Sequence, residues 1–350
     1  MIAALALFVA QPPASISQEL EAFRTQNHIA GLSAAVWQGG RQQYAQAFGF
    51  RDVAGGQAAG VSDLYRLASV SKPITAIGMM SLVEDGRLEL DSPAAKWLKD
   101  LPAGHSYTVR QLLCHTAGIT HYRGPSDPTT ACFDHFPALK SACLLFIHSP
   151  LLSPPGEKYS YSTHGYTLAG AVLESATGMR FANYMRRRVM TYAGPGGLDC
   201  ENLAEPPKPN RTSLYRASQS GPVAETKRED LSWKYPGGGM EATAPGLARF
   251  GDALMAGKVV KQSSLQQLWT RQKTNDGKEI GYGLGFDINA DGTRLHTGAQ
   301  QGARTVFYID PANKLTVVVL CNTSGNFDMA ALAKSIAARY QTPLSAKLTP

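Results

Sequence analysis

Ser69 and Lys72 stand three residues apart in Ser69-Val70-Ser71-Lys72-Pro73, directly ahead of an apolar run at 74–83. On one helical turn that spacing puts hydroxyl and amine on the same face, so the amine can take or relay the serine proton. The helix N-terminus favours negative charge at the oxygen. Pro73 suits a first turn, whose N–H groups have no intrahelical acceptor. A plainer reading makes Ser69 a helix cap and Lys72 a solvated first-turn residue. Against it, Ser-x-x-Lys occurs only once in the chain, and Ile74, Ile77, Met79, Met80, Leu82 and Val83 make the following helix apolar on nearly all faces. A lysine at the mouth of a buried helix opposes the dipole and implies a chemical use.

Two further elements carry polar groups of the right kind. Tyr159-Ser160-Tyr161-Ser162-Thr163 follows a Pro154-Pro155-Gly156 turn and leads into Gly165-Tyr166 and a helix; Leu295-His296-Thr297-Gly298-Ala299 lies on a strand just after a hairpin turn. Each has a bland rival: Tyr161 as a core aromatic with Tyr159 as its competitor, and His296 as a solvent-facing strand residue. His115, in Leu112-Leu113-Cys114-His115-Thr116-Ala117-Gly118, is expected to be structural and not catalytic.

Together these elements resemble the serine β-lactamase and penicillin-binding-protein superfamily, in particular its class C-like branch with the D-alanyl-D-alanine peptidases and carboxylesterases. The resemblance covers most of residues 28–325 and extends to 112–118, to 155–170, and to Gly237-Gly238-Gly239 with Thr243 and Leu247-Ala248-Arg249-Phe250. It implies that Ser69 is the nucleophile, that Lys72 lowers its proton affinity, and that Tyr161 relays the proton to the leaving group. A neighbouring ammonium is expected to depress the tyrosine pKa toward working pH. By the same resemblance the backbone N–H groups of Ser69 and Ala299 form an oxyanion hole, Thr163, Thr297 and Gly298 meet the substrate, and His296 joins the catalytic set. Gly298 is expected to let the strand backbone approach the acyl group.

Two departures bear on substrate. Thr163 stands where penicillin-recognising members usually have Asn, which puts recognition of penicillin-like side chains in doubt. His296 stands where most β-lactamases have Lys, giving less charge for a substrate carboxylate, with Arg294 or Arg304 as replacements. The same Tyr-Ser-Thr and His-Thr-Gly pairing resembles the mitochondrial β-lactamase-like serine proteases. The expectation is therefore an acyl-enzyme-forming hydrolase of peptide, ester or lactam carbonyls, peptidase- or esterase-like before β-lactamase-like. The rival of another class is a silent binding or assembly homologue. No Gly-x-Ser-x-Gly elbow supports an α/β-hydrolase.

The elements that must position these groups come from both ends of the chain. A helix at 16–27 and a hairpin of strands 34–37 and 44–48 open it; strands 283–288, 293–297, 305–309 and 315–320 and a helix at 329–340 close it. Between them lie helices at 74–85, 109–114, 166–175 and 182–190, and a loop-rich stretch at 201–242 expected to rim a cleft. The expected fold is α+β: an antiparallel sheet from both chain ends, flanked by terminal helices, with an inserted all-helical domain. The division reads 15–66 plus 235–345 for the sheet part and 67–234 for the helical part.

The chain's 350 residues, 43% hydrophobic and 17% charged, suffice for such a core, and the 34 Gly and 21 Pro are scattered, unlike a low-complexity chain. The net charge of +7 is dispersed apart from Arg186-Arg187-Arg188, a solvated helix face and not a nucleic-acid stripe. Five cysteines show no metal spacing, so neither metal nor cofactor is expected. Cys132 and Cys143 leave a local disulfide and two buried thiols equally open. The apolar run at 2–10, too short for a bilayer span, fits the core of an export signal, with Gln11-Pro12-Pro13 marking the mature start, and makes 1–14 a leader remnant of an exported, periplasmic or secreted protein. A small-molecule, peptide or ester substrate is the expected partner, with no nucleic acid and no integral membrane span.

Overall fold

A computed structural model describes residues 13–124, 127–218 and 223–341; the apolar run at 2–10 and most of the expected leader lie outside the described residues. Seven antiparallel strands form the main sheet. From the start of the chain come β1 (Gly31–Gln38), β2 (Arg41–Asp52) and β3 (Gln57–Ala58), and from its end β4 (Asp287–Ile288), β5 (Arg294–Gln300), β6 (Ala303–Asp310) and β7 (Leu315–Cys321), in the spatial order β3-β2-β1-β7-β6-β5-β4. The two ends of the chain join where β1 pairs with β7, from Leu32↔Cys321 to Gln38↔Leu315.

The sequence of β7, Leu-Thr-Val-Val-Val-Leu-Cys, explains how the sheet is covered. Successive side chains leave a strand on opposite faces, so a strand covered on both sides is apolar throughout. Leu315, Val317, Val319 and Cys321 pack with Leu20 of α1 (Pro13–Gln26) and Leu332 and Ile336 of the terminal helix Met329–Ala338. Val318 and Leu320 face the other core, with Phe307, Phe250 and Ile77. That second core holds α2 (Ser71–Glu84), buried from Ser71 through Leu82, and α3 (Thr163–Thr177).

Three local expectations change. The stretch 283–288 is a strand only at its end, because Gly285 at φ 85° turns the chain and presses it against Lys72 O, the Pro73 backbone and Ala76 of α2. The helix expected at 166–175 starts earlier, at Thr163, since the Ser162 hydroxyl accepts from Gly165 N and caps it. Cys132 and Cys143 are both free, as are the chain's other three cysteines, and all five are buried.

A small sheet of Tyr65–Arg66, Met240–Ala242 and Leu198–Cys200 ties the segment leading to Ser69 into the loop-rich stretch. It encloses buried charge. Arg66 makes a two-pronged contact with Glu201 at 2.8 and 2.6 Å and donates to Glu229 O at 2.9 Å, while Arg228 reaches Glu201 at 2.9 Å and Arg211 holds Glu241 at 2.7 Å. Burial opposes ionisation of Glu201, but the charges of Arg66, Arg228 and Arg211 and the Arg66 hydrogen bonds override it and lower its pKa from 4.5 to about 2.

Removing one member of a buried ion pair typically costs about 3–5 kcal/mol, because the partner stays buried and unpaired. Glu201→Gln is expected to lose stability of that order in urea unfolding at pH 7. The folded pKa lies below the unfolded value, so the Glu201 contribution is complete above about pH 4.5 and disappears as the pH falls through about 2. The gap between wild type and variant is expected to narrow over that window.

Candidate active site

Ser69 sits in a tight turn, Ala68–Val70, that feeds α2. Ala68 has φ 49°, a left-handed conformation that costs an L-residue strain, and it is buried. β5 holds that turn in place. A methyl group at Gly298 would lie 2.1 Å from Thr305 Oγ1 and 2.3 Å from Leu67 O, so only glycine lets the strand close on the backbone ahead of Ser69. Gly298 thus lets the strand pack directly against the turn that carries Ser69.

Lys72 lies one turn further and is completely buried. Its Nζ is 3.1 Å from Ser69 Oγ, 3.2 Å from Thr163 Oγ1 and 2.6 Å from Gly237 O, all neutral oxygens. Burial, aided by the charge of Lys234, pushes its pKa well below the ordinary lysine value. The three oxygens can be met either by the three N–H groups of an ammonium or by the two N–H groups and the lone pair of the neutral amine that burial favours.

Tyr161 closes the cluster. Its hydroxyl hydrogen-bonds Ser69, and Lys72 Nζ lies 4.7 Å from its ring centroid. Its neighbour Tyr159 is 42% exposed at the cleft mouth. The expected depression of the tyrosine pKa is not found: burial raises it well above the ordinary phenol value, outweighing the Ser69 hydrogen bond. His115 carries the tyrosine segment. Its carbonyl accepts from Ser160 N at 2.7 Å and its Nδ1 from Ser162 N at 3.1 Å, beneath the Tyr161 ring at 4.3 Å between centroids.

Ser69, Tyr161, Thr163, His296, Thr297 and Ala299 all line one cleft of about 1040 Å³ between the sheet edge and the helical side. Their orientations differ from expectation at two points. The Thr163 hydroxyl is engaged by Lys72 and the residue is buried, so it presents no free hydroxyl to a ligand. His296 is buried too; its Nδ1 donates to Thr297 O at 2.7 Å and its Nε2 accepts from Tyr282 Oη at 2.9 Å. Burial, with Lys72 nearby, lowers its pKa to about 3, so it is a neutral ring with both nitrogens turned inward and not a solvent-facing strand residue. Thr297 and Ala299 remain exposed to the cleft. Of the two arginines considered, Arg304 lines the cleft, whereas Arg294 stacks over Trp269 at 5.4 Å.

Sequence reasoning missed much of the polar wall. Lys234, buried against the rings of Trp233 and Tyr122, lies at the cleft with His121, Glu229 and Asp287. His121 Nδ1 accepts from Thr163 N at 3.3 Å, and burial, with Lys72 close by, lowers its pKa to about 4. Lys234 had one usable signal, its place just before Tyr235-Pro236-Gly237-Gly238-Gly239; His121 and Asp287 had none. Among the described residues, no cluster of His, Cys, Asp and Glu is placed to hold a metal ion.

This architecture, a serine and a buried lysine under a cleft between an antiparallel sheet and helices, is the penicillin-binding and β-lactamase-like fold. The Beta-lactamase family model matches residues 16–341, and the chain belongs to that family. Among its relatives, penicillin-binding protein 4* of Bacillus subtilis is 26% identical over 310 residues, covering 81% of this chain and 66% of that protein. Esterase EstB of Burkholderia gladioli is 28% identical over 368 residues, covering 89% and 91%. D-amino acid amidase from Ochrobactrum anthropi SV3 superposes with a TM-score of 0.78 at 20% identity, covering 96% of this chain and 99% of that one. The chain spans between about half and two thirds of the length of several curated relatives.

The Gly298 contact yields a prediction. Gly298→Ala inserts a methyl group into packed backbone, which typically costs about 1–3 kcal/mol. A lower Tm is expected, together with a fall in kcat larger than any change in KM, because the turn carrying Ser69 must shift.

Proposed function

We propose that this protein is a serine hydrolase that works through an acyl-enzyme on Ser69, with ester and amide carbonyls favoured over lactams. The observation that carries the reading is Lys72 Nζ, fully buried, ringed by neutral oxygens and 3.1 Å from Ser69 Oγ. An ammonium so placed would be unpaired and costly, whereas a neutral amine there is a base. Ser69 Oγ attacks the carbonyl carbon as Lys72 takes its proton, and negative charge gathers on the carbonyl oxygen. The backbone N–H groups of Ser69 and Ala299 are assigned to that oxygen. Tyr161, kept as a neutral phenol, gives its proton to the leaving group and regains one from Lys72 as the bond to that group breaks. Water repeats the sequence on the ester of Ser69, releasing the acid. His296 serves as a positioning residue, holding Tyr282 and the strand.

Two things support esters and amides. The Thr163 hydroxyl is engaged by Lys72 and His296 is neutral, so neither supplies the acylamide or carboxylate contacts expected of a β-lactamase. Among relatives, one similar along most of its length is named an esterase, and a structural neighbour an amidase. A class C-like β-lactamase is the second reading, favoured by Arg304 at the cleft as a substitute cation. A silent binding homologue is disfavoured by the intact contacts among Ser69, Lys72 and Tyr161.

A fluorophosphonate is expected to add one covalent mass at Ser69 and none to Ser69→Ala, with turnover of p-nitrophenyl esters exceeding that of nitrocefin and D-Ala-D-Ala peptides. No label and flat progress curves on every substrate would sink the reading. Lys72→Met is expected to lower kcat by roughly 10²–10⁴-fold, the usual worth of a general base. Activity should rise as Lys72 loses its proton, with the acid limb of the pH profile well below the ordinary lysine value. Because the Lys234 charge helps to lower the Lys72 pKa, Lys234→Met should move that limb to higher pH.

A further inference from the structure

Asp287 ends the turn that presses Gly285 against α2, and it lines the cleft beside Tyr159, Tyr161 and His296. Its carboxylate has no hydrogen-bond or ion-pair partner among the described residues. Most acids are held otherwise: Asp127, Asp230, Asp252 and Asp310 each accept hydrogen bonds and others pair with cations, while the Glu229 carboxylate at the same cleft shares with Asp287 the lack of a partner among the described residues. A carboxylate taken part-way out of water without a partner loses hydration and gains nothing in return, so its retention calls for a ligand. Its neighbours are aromatic, with the rings of Tyr159 and Tyr282 6.1 Å apart and Tyr159 open to solvent. A carboxylate beside aromatic rings suits an organic cation, which takes an ion pair from one and a quadrupole attraction from the other.

The cleft's cations, Arg216, Lys234 and Arg304, sit on other elements. Asp287 pairs with Leu295 of β5, and Arg304 pairs with Ala299 of that strand, four residues further on. At about 3.3 Å per residue, roughly 13 Å separates the two levels. Arg304 already donates to Ala303 O at 2.9 Å, and Lys234 rests on two rings. Arg271, whose guanidinium donates to Ile288 O at 2.8 Å, is paired with Glu279, so Asp287 acts on its own end of the cleft without an ion pair.

We propose that Asp287 and the tyrosines beside it form a subsite for an ammonium group, so that the preferred substrates are amine-bearing esters or amides. The proposal rests on the acyl-enzyme reading and names the substrate class for that site. Burial raises the Asp287 pKa to about 6, which leaves it mainly ionised at pH 7 and able to pair with a cation.

Matched substrates at pH 7 test it from both sides of the scissile bond: phenylalanine p-nitroanilide against its N-acetyl form, and acetylthiocholine against the neutral 3,3-dimethylbutyl thioacetate. The cationic member of at least one pair is expected to win by roughly tenfold or more in kcat/KM, the worth of one charge-assisted hydrogen bond. That ratio should collapse toward one in Asp287→Asn, persist in Asp287→Glu, which keeps the charge, and persist in Glu229→Gln, which removes the cleft's other carboxylate. Flat ratios in both pairs, a preference for the neutral members, a ratio that survives Asp287→Asn, or one lost in Glu229→Gln instead would overturn the proposal. If Ser69 is labelled by fluorophosphonate while the ratios are flat, the subsite alone fails; if nothing labels or turns over, the hydrolase reading fails and the subsite with it.

Discussion

The burial of one amine governs this structure. Lys72 lies wholly inside the protein, and its partners are a serine hydroxyl, a threonine hydroxyl and a backbone carbonyl. Such a position favours the uncharged form and needs neutral acceptors supplied from several directions at once. α2 brings the lysine in, the first residue of α3 supplies Thr163, and the Gly-rich turn at 235–238 supplies the Gly237 carbonyl. Gly237 has to be glycine, since a methyl group there would lie 2.7 Å from Thr163 Cγ2 and 3.0 Å from Thr163 O. Three elements far apart in the chain therefore meet at one nitrogen.

That convergence requires a stiff frame. The turn before α2 carries a left-handed Ala68, whose strain of order 1–3 kcal/mol must be offset by surrounding contacts. β5 supplies one of them through Gly298, and Thr305 donates to Leu67 O at 2.8 Å. On the other side Arg66, one residue before Leu67, is locked by Glu201 and by Glu229 O. The turn carrying Ser69 is thus held between a sheet edge and a buried ion pair. Regions that carry chemistry are often the ones where local strain is maintained by global packing, and this turn follows that pattern.

Membership of the Beta-lactamase family accounts for the frame and the serine–lysine pair but leaves the cleft wall to the individual chain. Thr163 and His296, two of the motif residues, look inward and stabilise the machinery. The cleft wall also holds polar groups from outside the three motif elements: His121, Lys234, Glu229 and Asp287. The wall is electrically uneven, with Asp287 near the start of β5 and Arg304 near its end.

The sequence by itself determined most of the elements and the Ser69–Lys72 pairing. Short runs of strand-forming residues bounded by turn residues placed β1, β2, β6 and β7, and an all-apolar helix behind Ser69 and Lys72 showed that α2 is buried, because these are local patterns of hydrophobicity and spacing. The tertiary structure alone decided the rest. The protonation of Lys72 and Tyr161 depends on burial and on neighbours up to 165 positions away, as with Gly237, so the tyrosine pKa moved opposite to expectation. The strand expected at 283–288 was cut short because Gly285 packs on α2, a contact that periodicity cannot report. The free state of Cys132 and Cys143, the inward turn of His296 and the lone carboxylate of Asp287 have the same origin. Each depends on which groups the fold brings within a few ångströms, and separation along the chain carries no record of that distance.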